Sequence, residues 1–228
     1  MEAGGGMSLF EQTTAWLLDM SQWSGTGSIP QRLGEHVLIT VVVVAIAVVI
    51  AIPVGIFCGH VHKGGATIIA VAGAARAIPT LGLLTLAGLW LGIGLKAPII
   101  ALVVLAIPPL LAGAFSGVNS VDASVVKSSR AMGMTEWQVI QKVEIPLALP
   151  LIMGGLRSAV MQVIATATLA AYIADSGLGR YIFAGLKTQA YGEMIGGAVL
   201  VILLALAGEA LFAVLQHLTK KVGYVFKV

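Results

Sequence analysis

An all-α integral membrane protein with five spans is the fold class this sequence predicts, on three observations. Five segments, residues 37–58, 66–91, 98–118, 147–173 and 194–215, are apolar and long enough to cross a bilayer, for which about 20 residues suffice. Of the 228 residues 58% are hydrophobic and only 10% charged, whereas a soluble domain carries roughly 25% charge. No segment alternates with the dyad period of a barrel strand, and an open sheet edge has no partner in lipid, so helices remain.

Taken in order, the N-terminal stretch "MSLFEQTTAWLLDMSQW" has no basic lead, and Glu11 and Asp19 interrupt it, so neither a cleaved leader nor a span is expected. It reads as a short interfacial helix with Trp16 and Trp23 at headgroup level. Cys58 is the only cysteine, which excludes a disulfide framework. It begins "CGHVH", but Cys58, His60 and His62 lie too close in sequence to close a tetrahedral site and no second cluster follows, so no metal is expected.

In the second span, "AARAIPTLGLLTLAGLW", Arg76 precedes Pro79 by three residues, and a proline there predicts a kink or break. A charged side chain inside a span costs about 2.5 to 3.5 kcal/mol. Arg76 lies about ten residues past Ala66, roughly 15 Å at helical rise, too deep for easy snorkelling. It reads either as a gate or pore-lining residue beside Pro79 that positions Thr80, or as one member of a structural pair. Gln162 and Tyr172 in the fourth span join the candidate pathway, and Glu209 in the fifth reads as a helix-packing residue. The glycines of "MGG" at 153–155 and "GG" at 196–197 are candidate helix contacts. Beyond the fourth span, Gly177 and Gly179 suit a turn, and Tyr181, Phe183 and Tyr191 suit a surface lying on the membrane or a docking surface.

With the N-terminus outside, seven basic residues between spans or beyond the last fall on one side (Lys63, Lys127, Arg130, Lys142, Lys220, Lys221, Lys227) and four on the other (Arg32, Lys96, Arg180, Lys187). The richer side is assigned to the cytoplasm.

One stretch on that side breaks the pattern: "VDASVVKSSRAMGMTEWQVIQKVEIP", residues 121–146. It predicts two short helices joined at Gly133. Asp122 caps the first, which would carry Val125, Val126 and Met132 on one side; Thr135 and Gln138 form a capping box for the second. Trp137, Ile140 and either Val143 or Glu144 then fall at helical spacing, with Pro146 and Pro150 expected to end the helix. Two amphipathic helices too short to span must bury their apolar faces on the membrane, on the rest of the chain, or on another protein.

The spacing resembles the signature of permease subunits of binding-protein-dependent ABC importers: Glu-Ala-Ala, three residues, Gly, nine residues, Ile, one residue, Leu-Pro. Here Lys127, Ser128 and Ser129 stand at the triplet, then Gly133, Val143, Ile145 and Pro146. Gly and Pro match, Val and Ile are conservative, and the triplet departs, with a positive charge where the family has a negative one. "ARAIPTLGLL", "PPLLAG", "RAMGM", "EIPLALPLIMGGLRSAV" and "IATATLAAYIADSGLGRYIF" look like the osmoprotectant subfamily, whose members import glycine betaine, choline, carnitine or proline betaine.

The resemblance implies a type I ABC importer permease fold in the cytoplasmic (inner) membrane of a prokaryote. It divides the chain into an extracytoplasmic segment 1–33, a permease domain 34–218 with its coupling loop at 119–150, and a basic cytoplasmic tail 219–228. It further implies that a helix–loop–helix enters a groove of an ATP-binding cassette subunit. The coupling residues would be the triplet, Arg130, Met132, Gly133 and Met134, followed by Glu136, Trp137, Ile140, Val143 and Pro146. The partners implied are the ATPase subunits, an extracytoplasmic solute-binding protein, a second permease subunit, identical or sister, and the lipid around them.

Absent motifs agree with this division of labour. No G-x-x-x-x-G-K-[ST] stretch occurs, so ATP and Mg are expected on a partner and no cofactor in this chain. Neither H-E-x-x-H nor G-x-S-x-G is present, which argues against a membrane enzyme. Quaternary ammonium groups are held by aromatic cages, and only Trp90 and Tyr172 are obvious candidates within spans, so substrate choice is expected to rest with the binding protein. Three alternatives stay open at this level: a type I importer for an amino acid or other small solute, an ion-coupled carrier, and a scaffold for a soluble partner.

Overall fold

Where apolar runs exceed bilayer length, the chain folds as helix, because only a helix satisfies its own backbone in lipid. The computed structural model describes residues 7–224; the side chains of Arg76 and of residues 218–224 lie outside the described set. Among the described residues there are helices α1 to α11, of which α9 is the short Ala171–Ala174, and no strand. Four helical segments are long and apolar enough to span, Ile29–His60, Lys96–Asn119, Glu136–Ala174 and Tyr191–His217, and a broken pair makes up to five. The broken pair is α3 (Gly65–Ala77) and α4 (Thr80–Leu91), separated at Ile78 and Pro79, the position where the sequence places a break.

The described chain falls into two units. The first holds residues 7–42, 80–102 and 164–206. Its helix α1 (Leu9–Leu18) starts on a capping box in which the Ser8 hydroxyl accepts from Glu11 N–H and the Glu11 carboxylate accepts from Ser8 N–H. Trp16 does not lie free at an interface: its ring meets Tyr181 edge-on at 4.9 Å and rests over Gly196, where a Cβ would come within 2.3 Å of the indole. Gly197 gives the same clearance to Tyr181, so both glycines of the pair at 196–197 are close-approach points.

Residues 179–188 form a helix, α10 (Gly179–Thr188), which turns Tyr181 inward. Tyr181 is buried against Ile29 and Leu178, its hydroxyl donates to Gly27 O at 2.7 Å, and burial pushes the phenol above its ordinary pKa. The expectation that Tyr181 faces the membrane is corrected; amphipathic spacing on α10 selects this face for the core.

His36 ties the turn before α10 to α2 (Ile29–His60). Its Nδ1 accepts from Leu178 N–H at 3.3 Å, which leaves Nε2–H to donate to Ile164 O at 3.0 Å, fixing a neutral tautomer. Glu35 accepts from the Ser176 hydroxyl at 3.1 Å and from Gly177 N–H at 2.9 Å, and Gly177 takes φ +79° beside the imidazole. A β-carbon at Gly177 would be strained there.

The second unit holds residues 43–79, 103–163 and 207–224. Small residues repeat every fourth position on α2: Val43, Ala47, Ala51, Gly55 and Gly59 are all buried. Gly55 and Gly59 meet Ala114 and Val118 of α5 (Lys96–Asn119), and Gly113 and Gly117 of α5 meet Gly155 and Ala148 of α8 (Ile145–Thr166). Two G-x-x-x-G motifs thus bring α2, α5 and α8 into backbone contact, which helices in lipid use for packing.

Of the residues 153–155, Gly155 is a contact and Gly154 is not: a Cβ at Gly155 would lie 2.7 Å from Pro109 O, while nothing lies within 4 Å of one at Gly154. Backbone cannot give way as a flexible side chain can. Gly155→Val is therefore expected to destabilise the fold by about 1 to 3 kcal/mol, read as a lower thermal unfolding midpoint in detergent, with Gly154→Ala unchanged.

Candidate functional site

The charged insert lies wholly in the second unit. Helix α6 (Ala123–Ala131) begins at Asp122, whose carboxylate accepts from Ser124 N–H at 2.7 Å. That backbone bond, helped by the Ser124 side chain, holds the Asp122 carboxyl below its ordinary pKa. Val126 and Ser129 face inward, three residues apart, whereas Val125 and Met132 are exposed. The expected common face for Val125, Val126 and Met132 is corrected: successive helical residues are 100° apart, and Val126 with Ser129 takes the inner side.

Gly133 turns the chain with φ +86°, and Met134 follows. Helix α7 (Glu136–Val139) starts with the capping box read from the sequence, Thr135 N–H donating to the Gln138 side chain at 2.9 Å. Arg130 closes the turn with a bidentate bond to Glu136, 2.9 Å from Nε and 2.9 Å from a terminal nitrogen. The outer end of the joint is rich in exposed groups: Lys127, Ser128, Met132 at 76% exposure and Trp137 at 66%.

Neither Pro146 nor Pro150 ends this helix, which corrects the sequence reading. One π-turn, Ile140–Glu144, follows α7, and α8 continues from Ile145 through both prolines. Ile145 N–H reaches back five residues to Ile140 O. A proline ring collides with the carbonyl four residues before it, here Lys142; the wider π-turn relieves that collision, and π-turns cluster at functional positions. The joint and the span are therefore one helical run, Glu136–Ala174.

Beside the joint, a hollow of about 550 Å³ is lined by Asp122, Val125, Ser129, Lys142, Val143 and Pro146. A second of about 260 Å³ lies between α2 and the joint, lined by Phe57, Trp137 and Ile140 among others. His60, at the end of α2, contacts Glu144 at 2.8 Å through Nδ1 and Glu136 at 3.2 Å through Nε2. His62 Nδ1 sits 3.0 Å from His60 O. Sequence reasoning set "CGHVH" aside with the metal question and missed this role, because the partner carboxylates lie more than seventy residues away.

The candidate pathway residues are spread over both units. The Arg76 side chain lies outside the described residues. Pro79 is exposed after α3, and Thr80 opens α4. Gln162 lines a cavity of about 40 Å³ with Ala72, Ala75, Pro108 and Pro109, where the two prolines of α5 leave the carbonyls of Val104 and Leu105 without their helical donors. Tyr172 is exposed and packs on Phe183, ring centroids 5.6 Å apart. Trp90 is exposed on α4.

Arg157 carries a charge the sequence reading passed over. Its Nε donates to Glu209 at 3.0 Å, a second guanidinium nitrogen also bonds that carboxylate, and a third donates to Gln216 at 2.8 Å. Glu209 thus packs α11 (Tyr191–Tyr224) on α8 through a salt bridge. The signal was two opposite charges in separate apolar runs, which pair more often than they stand alone.

Residues 51–223 match the family described as binding-protein-dependent transport system inner membrane component. The chain belongs to that family. As a permease, it is a transmembrane transport component and not an enzyme. It is 39% identical over 183 residues to the carnitine transport permease protein OpuCB of Listeria monocytogenes, covering 80% of this chain and 84% of that one. To the glycine betaine/carnitine/choline transport system permease protein OpuCB of Bacillus subtilis (strain 168) it is 35% identical over 191 residues, 84% and 88% of the two chains. Its fold is that of type I importer permeases: a solved inward-facing structure of the MetNI methionine ABC transporter superposes with a TM-score of 0.68 at 24% identity, covering 90% of this permease and 97% of that chain.

Proposed function

We propose that this permease carries osmoprotectants such as glycine betaine, choline or carnitine across the cytoplasmic membrane by alternating access, driven by ATP hydrolysis on partner subunits. The observation that carries the proposal is the joint: an exposed apolar tip made of Met132, at the end of α6, and Trp137, on a helix continuous with a span. Such a tip, stapled by Arg130 and Glu136, is a grip for a partner rather than a loop at rest. The ATPase would hold Lys127 and Ser128 of the triplet, with Ser129 buried beneath them, and the outward groups of residues Arg130 to Pro146. The identity to carnitine and betaine permeases supports the substrate class.

In this reading the N-terminus lies outside and the joint and C-terminus inside, which puts seven basic residues in the cytoplasm against four. Closure of the nucleotide-bound ATPases draws on the joint and biases the spans toward one access state. Arg76, Pro79, Thr80, Gln162 and Tyr172 would line or gate the path. A second permease, the same or a sister chain, completes it, and the open flank of the Arg157–Glu209 pair meets the polar surroundings that such a path provides. A binding protein docks outside and selects the solute.

The test is uptake into proteoliposomes holding the permease, its ATPase and its binding protein. Labelled glycine betaine, carnitine or choline is expected to accumulate only with internal ATP and the binding protein. Accumulation driven by an ion gradient alone would replace this reading with a carrier, and uptake of amino acids but none of these cations would move it to another importer class.

A further inference from the structure

Glu144 is the most buried carboxylate among the described residues, 1% exposed, and it is the last residue of the π-turn. Its partner is His60, 10% exposed, which comes from a different helix. The imidazole is held at both nitrogens: Nδ1 by Glu144 at 2.8 Å and Nε2 by Glu136 at 3.2 Å. Glu136 stands before the π-turn and Glu144 at its end, so one ring spans it. Arg130 continues the chain of charges on the far side of Glu136.

Ionised carboxylates only accept, and a neutral imidazole has a single N–H. Both contacts are hydrogen bonds when one further proton resides on the ring, or on Glu144 facing it. With the imidazolium, the four groups, Arg130, Glu136, His60 and Glu144, balance in charge. A neutral imidazole between two ionised carboxylates keeps only one of the two bonds.

A π-turn is a local widening of the helix and a point where bending concentrates. If the joint is pulled, α7 can swing at this turn and the displacement is lost before α8. We propose that His60 is a positioning residue that braces the π-turn, gripping it from α2 on both sides so that movement of the joint passes undiminished into α8. The proposal rests on the reading that an ATPase pulls on this joint. It assigns His60 no contact with the ATPase or the solute.

The experiment uses the complete assembly in proteoliposomes, with ATP hydrolysis and solute uptake measured on the same preparation. In His60→Gln, whose neutral amide cannot supply a charge between the two carboxylates, the ATPase is expected to copurify and hydrolysis to stay within twofold of wild type. Uptake per ATP is expected to fall at least fivefold. His60→Lys, a cation with donors for both carboxylates, is expected to bring the ratio back to within twofold. Where His60→Gln does not assemble, the pair His60→Gln with Glu144→Gln removes the stranded carboxylate, and is expected to assemble yet still slip. An unchanged ratio in whichever variant assembles, or hydrolysis and uptake falling in proportion, overturns the brace. A wild-type chain showing no ATP-driven uptake sinks the transport reading itself and the brace with it, whereas wild-type uptake with an unchanged variant ratio sinks the brace alone.

Discussion

Replacing Trp137 with glutamate is expected to strip the ATPase from the permease and lower ATP-driven uptake at least tenfold, leaving a chain that still inserts and keeps its helices. Trp137 is 66% exposed, so the fold depends little on it. With Met132, 76% exposed, it forms the apolar end of a joint that also presents Lys127 and Ser128 outward. Exposed tryptophans that dock into a partner pocket are common binding hot spots, and truncating one costs about 2 kcal/mol or more, roughly thirtyfold in affinity. A carboxylate in that pocket adds desolvation to the loss. The readouts are copurification of the ATPase, uptake in vesicles, and helicity by circular dichroism. Normal uptake in the variant would mean that the tip touches nothing that matters.

The second large effect lies in the spans. Glu209→Leu is expected to destabilise the permease by about 2 to 3 kcal/mol, because Arg157 keeps its charge and loses its carboxylate. The two groups are 34% and 41% exposed, so part of the cost is relieved by whatever surrounds them, and the loss stays at or below the roughly 3 to 5 kcal/mol of a fully buried pair. Gln216 still accepts from Arg157 but brings no charge. Arg157→Leu combined with Glu209→Leu removes both charges and is expected to recover most of the stability. Thermal unfolding in detergent measures Glu209→Leu, Arg157→Leu and the double variant. A double-variant loss equal to the sum of the two single losses would show that the two side chains act independently.

What the sequence made legible follows from how few choices lipid leaves. Apolar runs become helices because nothing else satisfies the backbone, and Pro79 breaks one of them where its ring and missing donor require. Within the joint, Asp122, Gly133 and the Thr135–Gln138 box acted as read, since caps and left-handed glycines depend on neighbours within three or four residues.

The misreadings share a cause: the deciding partner is distant in sequence or local geometry bends a local rule. Pro146 lies inside a helical run because a π-turn absorbs its collision, which no local propensity announces. Glu144 is buried because His60, 84 residues before it, supplies the bond. Tyr181 faces the core because Gly27 O and Trp16 wait there. The small-residue ladder at Gly55, Gly59, Gly113 and Gly117 was readable as two G-x-x-x-G motifs, but only the fold shows that they join helices of one chain.

The central claim is that a separate ATPase grips the joint, and site-directed crosslinking tests it most directly. With Cys58 replaced by serine, Met132→Cys places one thiol at the exposed tip, and a short thiol crosslinker is applied to the intact assembly in membranes. A covalent product between permease and ATPase, absent when the thiol is moved to Leu186→Cys on α10, is the predicted result. An ATPase that copurifies and hydrolyses ATP while the residue 132 thiol reacts only with lipid-dissolved reagent would contradict the account.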